Sequence, residues 1–269
     1  MAIIKPSQKT GFSLLELAIA LVVLGGIIFS YLLFFDAKNS QTRMIATQTK
    51  LEKIEKALRL YYRTNGDLPC PADGSVAESD AAFGTADCAG SGTGFVNITA
   101  DYDSDASNET IRIGALPTRD LLLPDDYAID GWNSRFTYAI DSDFTNGSWG
   151  GGGGTQYGSI KIVDNSGNTI SDPTTAGLGG AVFVVISYGE NKVGAWLRQG
   201  GTTRIKKTGS TSVHEDSNAE VQTNGTHDTW DNIFNDDFIN DGEVAASYFD
   251  DIILWNSREM IDYDPALYD

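Results

Sequence analysis

Residues 12–35 form one apolar run, FSLLELAIALVVLGGIIFSYLLFF, in which Ser13, Glu16 and Ser30 are the clearly polar positions. No other feature of the chain constrains its fold as strongly. About 20 consecutive apolar residues carry a helix across the hydrocarbon core of a bilayer. Inside that core only a helix or a closed barrel satisfies its own backbone. A cleavable secretory signal has a shorter apolar core and a small-residue exit site. This run is too long, and the SYLLFFDAKN at its end offers no such exit. The sequence therefore predicts a membrane-spanning helix. Lys5 and Lys9 precede the span while Lys38 and Arg43 follow it, so the positive-inside rule assigns no orientation.

Helical periodicity continues beyond the span. In DAKNSQTRMIATQTKLEKIEKALRLYYRTNG, the residues Ile45, Leu51, Ile54, Leu58 and Tyr61 fall at spacings compatible with one face. Lys, Arg, Glu and Gln fill the other. Pro is absent from residues 27–65, and NGDLP then supplies a stop, with Gly66 as cap and Pro69 beyond it. The reading is one helix over residues 12–63, on the order of 80 Å long at 1.5 Å per residue. Residues 12–35 are its apolar half and residues 36–65 its amphipathic continuation. The amphipathic half needs a partner surface, which residues 66–269 must supply.

Glu16 is the anomaly in the run. A carboxylate deep in a bilayer costs a few kcal/mol, less near the headgroups. Two readings stand: a Glu that snorkels to the interface, or a charge that pairs with a positive group inside the membrane.

The remaining composition narrows the partners. The chain has 269 residues, with 19 basic against 37 acidic side chains, a formal charge of -18 and a pI near 4.3. Phosphate binding needs a basic face, so nucleic acid is excluded as the main partner. Adhesion of the soluble part to anionic lipid is disfavoured for the same reason. Cys70 and Cys88 are the two cysteines. In an oxidising compartment such a pair forms a disulfide, worth roughly 3 kcal/mol for a loop of this length. The alternative is two free thiols; without a CxxC or a nearby His, a metal site is disfavoured.

Residues 66–109 are small, polar and Gly-rich and read as a long connecting loop, pinned by Cys70 and Cys88. ETIRIGALPTRDLLLPDDYAIDGW combines a short strand with turns at Pro117 and Pro124. Strands are predicted at residues 135–140, 159–163, 181–188, 194–198 and 252–255, all rich in β-branched and aromatic side chains. NGSWGGGGGTQYG reads as a flexible turn or insertion. TNGTHDTWDNIFNDDFINDGE reads as an exposed acidic loop with a short helix. The fold class is α+β: a long N-terminal helix packed on an antiparallel β-sheet.

A search for chemistry returns little. His214 and His227 lie in polar stretches without an HExxH or a Cys/His cluster. VISYG around Ser187 half-matches a nucleophile elbow, but Val185 replaces the first Gly and the surrounding VFVVI is what a buried strand needs. No GxxxxGK[ST] phosphate loop is present. The chain is read as a non-enzyme. Calcium needs six to eight oxygens, and DYDSDASNE alternates Asp101, Asp103 and Asp105. The EF-hand Gly is Ala106 there, and no Glu occupies the twelfth place, so a solvated acidic loop is the competing reading.

The block KTGFSLLELAIALVVLGGI resembles the N-terminal signature of type IV pilins and type II secretion pseudopilins: a short basic leader, Gly11, aromatic Phe12, Ser-Leu-Leu-Glu and a long apolar run. LRLYYRTNGDLP, DGWNSRFTYAID, VVISYGENKVGAW and FDDIILW are similar to later elements of the same family. The resemblance implies a pilin-like fold. It implies that a prepilin peptidase cuts between Gly11 and Phe12, removing leader 1–11 and its two lysines, and methylates the new N-terminus. It implies that Glu16 neutralises the N-terminal amine of a neighbouring subunit as helices stack, which fixes register because an unpaired charge in an apolar bundle is costly. The implied partners are other pilins or pseudopilins, an inner-membrane assembly platform and membrane lipid. The implied location is the bacterial inner membrane with residues 66–269 in the periplasm, followed by a filament that reaches the extracellular space. Calcium is implied between SYGEN and FDDI, with Asn191 where the family often has Asp and with Asp250 or Asp251 as carboxylate donors.

Two positions depart from the family pattern. Leu33 stands where many pilins have Pro inside the membrane helix, so local melting would rely on Gly25 and Gly26. Asn133-Ser134 stands where Asn-Gly is expected after Trp132. Two further functions fit the sequence: a minor pilin or tip adhesin that binds a ligand through its acidic domain, and a membrane-anchored periplasmic domain that never polymerises.

Overall fold

A single helix, α1, runs over Leu14–Asn65. Apolar and straight-chain residues with no Pro sustain it. Gly66 ends it: its φ of +80° is the left-handed conformation of a C-terminal cap, and its N–H donates to the Tyr62 carbonyl at 2.7 Å. The computed structural model describes residues 14–104, 106, 108–145, 157–164, 166–174, 179–205, 218–219, 231–236 and 249–263, and for residues 32–37 the backbone alone. The chain divides into two compact units, Met1–Thr42 and Arg43–Asp269.

In the first unit, Leu14–Tyr31 is long and apolar enough to cross a membrane, and its side chains are exposed. An exposed apolar helix is stable only in an apolar solvent or against other chains, which fits a transmembrane segment. The Ser30 hydroxyl donates back to the Gly26 carbonyl at 2.9 Å, so this polar group is satisfied within the helix.

In the second unit, α1 buries Thr47, Leu51, Ile54 and Leu58. The spacing of 4, 3 and 4 residues makes one stripe. Ile45 does not join it. The sequence places Ile45 on the buried face, but at 3.6 residues per turn it lies roughly opposite Leu51 and Ile54, and it is 57% exposed. Thr47 takes the next place along the stripe.

The stripe packs on a five-stranded antiparallel sheet with strand order β1-β2-β3-β6-β8. The strands are β1 (Val96–Ala100), β2 (Glu109–Ala115), β3 (Thr137–Asp141), β6 (Ala181–Ser187) and β8 (Ile252–Ser257). Tyr138, Ile140, Val182, Phe183 and Val185 share one core with Leu51, Ile54 and Leu58. Tyr138 sits opposite Val185 in register, and the Tyr138 and Phe183 rings lie 6.1 Å apart. The other face, with Ile111, Ile113, Ala139, Val184 and Ile186, shares a second core with Ile160, Ile162 and Phe234. These last residues come from and beside a small sheet ordered β5-β4-β7, made of β4 (Lys161–Val163), β5 (Thr169–Ser171) and β7 (Ile233–Asn235). β4 pairs with β7 in parallel. Strand β6 is thus covered on both faces, which explains its uninterrupted AVFVVIS. A short helix, α2 (Arg258–Asp262), follows β8, capped by the Ser257 hydroxyl.

Three further sequence readings are corrected. The stretch read as a connecting loop, 66–109, contains β1, whose alternating exposure and polar VNITA mark an edge strand rather than a loop. Residues 194–198 form no strand; Val193, Ala195 and Trp196 are buried anchors in a run of turns. Within the acidic stretch read as a loop with a helix, residues 233–235 are strand β7, held by parallel pairing to β4 and burial of Phe234. The second sheet was not expected. Residues 146–156 of the Gly-rich stretch lie outside the described residues.

The disulfide forms. Cys70 and Cys88 are bonded with Cα atoms 5.1 Å apart. Beside them Ala72 bridges both Ala86 and Ala115, so residues 66–95 are tied to the end of β2. Arg112 on β2 donates to the Cys88 carbonyl at 2.5 Å.

Candidate functional site

Glu16 lies in the first turn of α1, where a carboxylate complements the partial positive charge of the helix N-terminus. Gly11 and Phe12 lie outside the described residues, as do Asp105, His214 and His227.

The hairpin β1–β2 builds an acidic cluster. Register pairs Ala100 with Glu109, so the turn after β1 returns Asp101 and Asp103 to Glu109. Their carboxylates offer oxygens within 4.8 Å of one another. Glu109 is buried and accepts the Tyr102 N–H at 2.8 Å; Asp101 accepts the Ala106 N–H at 3.1 Å. Ser104 and Ala106 take positive φ to make this turn. Three carboxylates are a hard-oxygen donor set, which fits a divalent cation such as calcium, and Asp101, Asp103 and Glu109 would hold it. The sequence picks Asp101 and Asp103 but misses Glu109. The signal was the hairpin itself, hidden because β1 reads as loop.

The second acidic site has different geometry. Asp250 accepts the Glu190 N–H at 2.5 Å, the Asn191 N–H at 3.2 Å and the Asn191 side-chain amide at 3.1 Å. Asn191 Oδ1 accepts the Val193 N–H at 2.8 Å. Asp250 therefore fastens the turn after β6 to the start of β8. Asp251 accepts from the Asn218 side chain at 3.0 Å instead. The structure brings Asn191 to Asp250 and sends Asp251 elsewhere.

Two further carboxylates are buried. Asp130 Oδ1 accepts the N–H groups of Trp132 and Ser134 at 2.9 and 2.8 Å, and Oδ2 accepts the Ser187 hydroxyl at 2.7 Å. Burial raises the Asp130 pKa, partly offset by these hydrogen bonds. Asp141 accepts the Asp143 N–H at 3.0 Å, the Ser159 N–H at 3.0 Å and the Ser159 hydroxyl at 2.6 Å. Burial pushes its pKa up to about 6. Ser187, the residue of the half-matched elbow, is fully buried at the end of β6 with its hydroxyl committed to Asp130.

The buried Arg135 is a different kind of anchor. It donates to the carbonyls of Gly74 and Val76 at 2.8 and 2.7 Å and stacks 4.5 Å from the Phe83 ring centroid. Burial lowers its pKa to about 10. It holds residues 74–83 onto the sheet.

An open groove lies beside α1. Ala57, Leu60, Tyr61 and Thr64 form one wall, and Asp120, Leu121 and Leu122 form the other, around about 330 Å³. Leu122 takes a φ of +55° and is 89% exposed; Leu60 is 64% exposed. Burial, then Asp67 and Asp120, raise the pKa of Tyr61. Compared with known proteins, the chain matches no family model, no curated protein and no solved structure.

Proposed function

We propose that the chain is a structural subunit of a type IV pilus or type II secretion pseudopilus. The observation that supports this best is α1. One helix, Leu14–Asn65, is apolar and exposed over its first part and carries a buried stripe over its second. Such a helix serves two solvents. Its first part is anchored in lipid before assembly, and afterwards bundles with the same segment of other copies. Its second part belongs to the core of a domain that travels with it.

On this reading a prepilin peptidase removes residues 1–11 and methylates Phe12. The new amine of one subunit then meets Glu16 of its neighbour. In an apolar bundle either charge alone is costly, so only a stagger that pairs them is stable. The chain does no covalent chemistry itself.

A specialised, ligand-binding minor subunit is the second reading. The extra β5-β4-β7 sheet favours it, because that sheet elaborates the domain on the face away from α1. The abundance of the chain in purified filaments separates a shaft subunit from a minor one.

Coexpression with a prepilin peptidase tests the proposal. Mass spectrometry is expected to find a chain that starts at a methylated Phe12; a chain that still starts at Met1 contradicts it. Glu16→Ala is expected to insert normally and to fail in filament formation. Normal filaments from that variant would remove Glu16 from assembly.

A further inference from the structure

The two halves of the Cys70–Cys88 bond sit in unequal surroundings. Cys70 is 1% exposed and lies between Pro69 and Pro71, in a run from Leu68 to Ala72 that is buried throughout. The Tyr138 hydroxyl donates to the Pro69 carbonyl at 3.2 Å and fixes this run against β3. Cys88 is half-buried and is the second residue of the turn closed by the Gly90 N–H on the Asp87 carbonyl. The Asp87 carboxylate shapes that turn: it accepts the N–H groups of Ala89, Gly90 and Ser91 and the Ser91 hydroxyl, which spread its charge.

Arg112 completes the asymmetry. Its guanidinium donates to the Cys88 carbonyl at 2.5 Å and lies 3.9 Å from Cys70 Sγ. Thiol–disulfide exchange proceeds by attack of a thiolate on one sulfur, and it runs faster when the other sulfur departs as a stabilised thiolate. Burial blocks attack at Cys70. Attack at Cys88 expels Cys70 Sγ beside a positive charge already in place. Backbone contacts keep the two sulfurs neighbours once their bond opens: the Asp87 N–H donates to the Pro71 carbonyl at 3.0 Å, and Ala72 bridges Ala86.

We infer that Cys88 is a site of reversible modification by a small aliphatic thiol, with Cys70 as the leaving group and Arg112 as the residue that stabilises its departure. The thiolate RS⁻ bonds to Cys88 Sγ as the Cys70–Cys88 bond breaks, and the electron pair of that bond leaves on Cys70 Sγ. The products are an R–S–S–Cys88 mixed disulfide and a Cys70 thiolate beside Arg112. Attack of Cys70 on Cys88 reverses the step and returns RS⁻, so the cycle consumes no oxidant or reductant. This chemistry is independent of filament assembly.

Reduced glutathione, in excess over the folded full-length chain in detergent, is the probe. Acid quenching at early times, alkylation and peptide mass spectrometry locate the adduct. Glutathione on Cys88 with an alkylated Cys70 is expected. Glutathione on Cys70, or equally on both, overturns the assignment. So does a bond that stays closed until the chain unfolds, or one that opens with no adduct on Cys88 at any time. Arg112→Gln is expected to slow opening of the bond roughly threefold, because the leaving thiolate loses its counter-charge. Arg112→Lys keeps that charge and is expected to retain most of the rate. If Arg112 were only a structural tie, its loss would loosen the segment and speed the reaction. An Arg112→Gln chain that reacts faster than the native one, or at the same rate, therefore overturns the leaving-group role.

Discussion

Ser187 and Asp130, 57 residues apart, meet through a 2.7 Å hydrogen bond from the serine hydroxyl to Asp130 Oδ2. The bond ties the end of β6 to the turn of residues 130–134. That turn also uses Asp130 Oδ1 to hold its own N–H groups, and Asn133 reaches a φ of +67° to complete it. Asp130→Ala leaves three buried donors without an acceptor, and should cost roughly 3 kcal/mol, while Ser187→Ala removes one bond and costs about 1 kcal/mol. Chemical denaturation of the detergent-solubilised chain reads both. Equal losses from the two variants would contradict this division of roles.

Asp141 gives stability an unusual pH dependence. Its folded pKa, about 6, lies above the ordinary carboxylate value. Above pH 6 the folded chain must keep a buried charge. As pH falls through 6 the folded state takes up a proton that the unfolded state does not yet bind, so stability rises and the gain is complete near pH 4. The full effect is about 3 kcal/mol. Asp130 shifts in the same direction. Depressed carboxylates such as Asp172 and Asp87 oppose the gain only below their unfolded pKa. The melting temperature should therefore rise from pH 7.5 to pH 5, and Asp141→Ala should flatten that rise.

Reduction of Cys70–Cys88 should cost about 3 kcal/mol, from the entropy returned to the unfolded chain. For a domain of this size that lowers the melting temperature by roughly 6–12 °C. Thermal unfolding with and without a reductant reads it, and a shift under one degree would show that Ala72 and Arg112 hold the segment unaided.

Gly131 packs its backbone directly against α1. Its N–H donates to the Thr47 hydroxyl at 2.9 Å, and a Cβ would run into the Arg43 carbonyl. Gly131→Ala should destabilise by about 1–3 kcal/mol through overpacking against backbone that cannot yield. Thr47→Ala should cost about 1–2 kcal/mol, from the lost hydrogen bond to the Gly131 N–H and a small void, without forcing backbone apart. A larger loss from Thr47→Ala than from Gly131→Ala in denaturation would refute this account.

Long, strongly periodic elements were legible in the sequence. Leu51, Ile54 and Leu58 announce the buried stripe of α1, and AVFVVIS announces a strand covered on both sides. Short elements were not. β5 and β7 have three residues each, too few for a period, and exist because a neighbouring strand pairs with them. The apolar residues at 193–196 imitate a strand because burial alone makes the same pattern as pairing. For the candidate sites, Glu109 becomes visible only when register brings it to Asp101 and Asp103, and the partnership of Ser187 with Asp130 only when topology brings the two together. Leu122 gave no signal, since backbone dihedrals leave no trace in a leucine.

Strand β6 lies between β3 and β8, and β8 pairs along nearly its whole length. A chain threaded out from its N-terminus delivers β3 and β6 well before β8. In that interval one side of the most apolar strand in the domain has no partner in the five-stranded sheet, and the Arg59 contacts to Asn256 and α2 have not been made. Synthesis and the completion of the sheet are therefore out of step by some 65 residues. During that interval the unpaired edge of β6 is the part of the domain most open to wrong pairing with another strand.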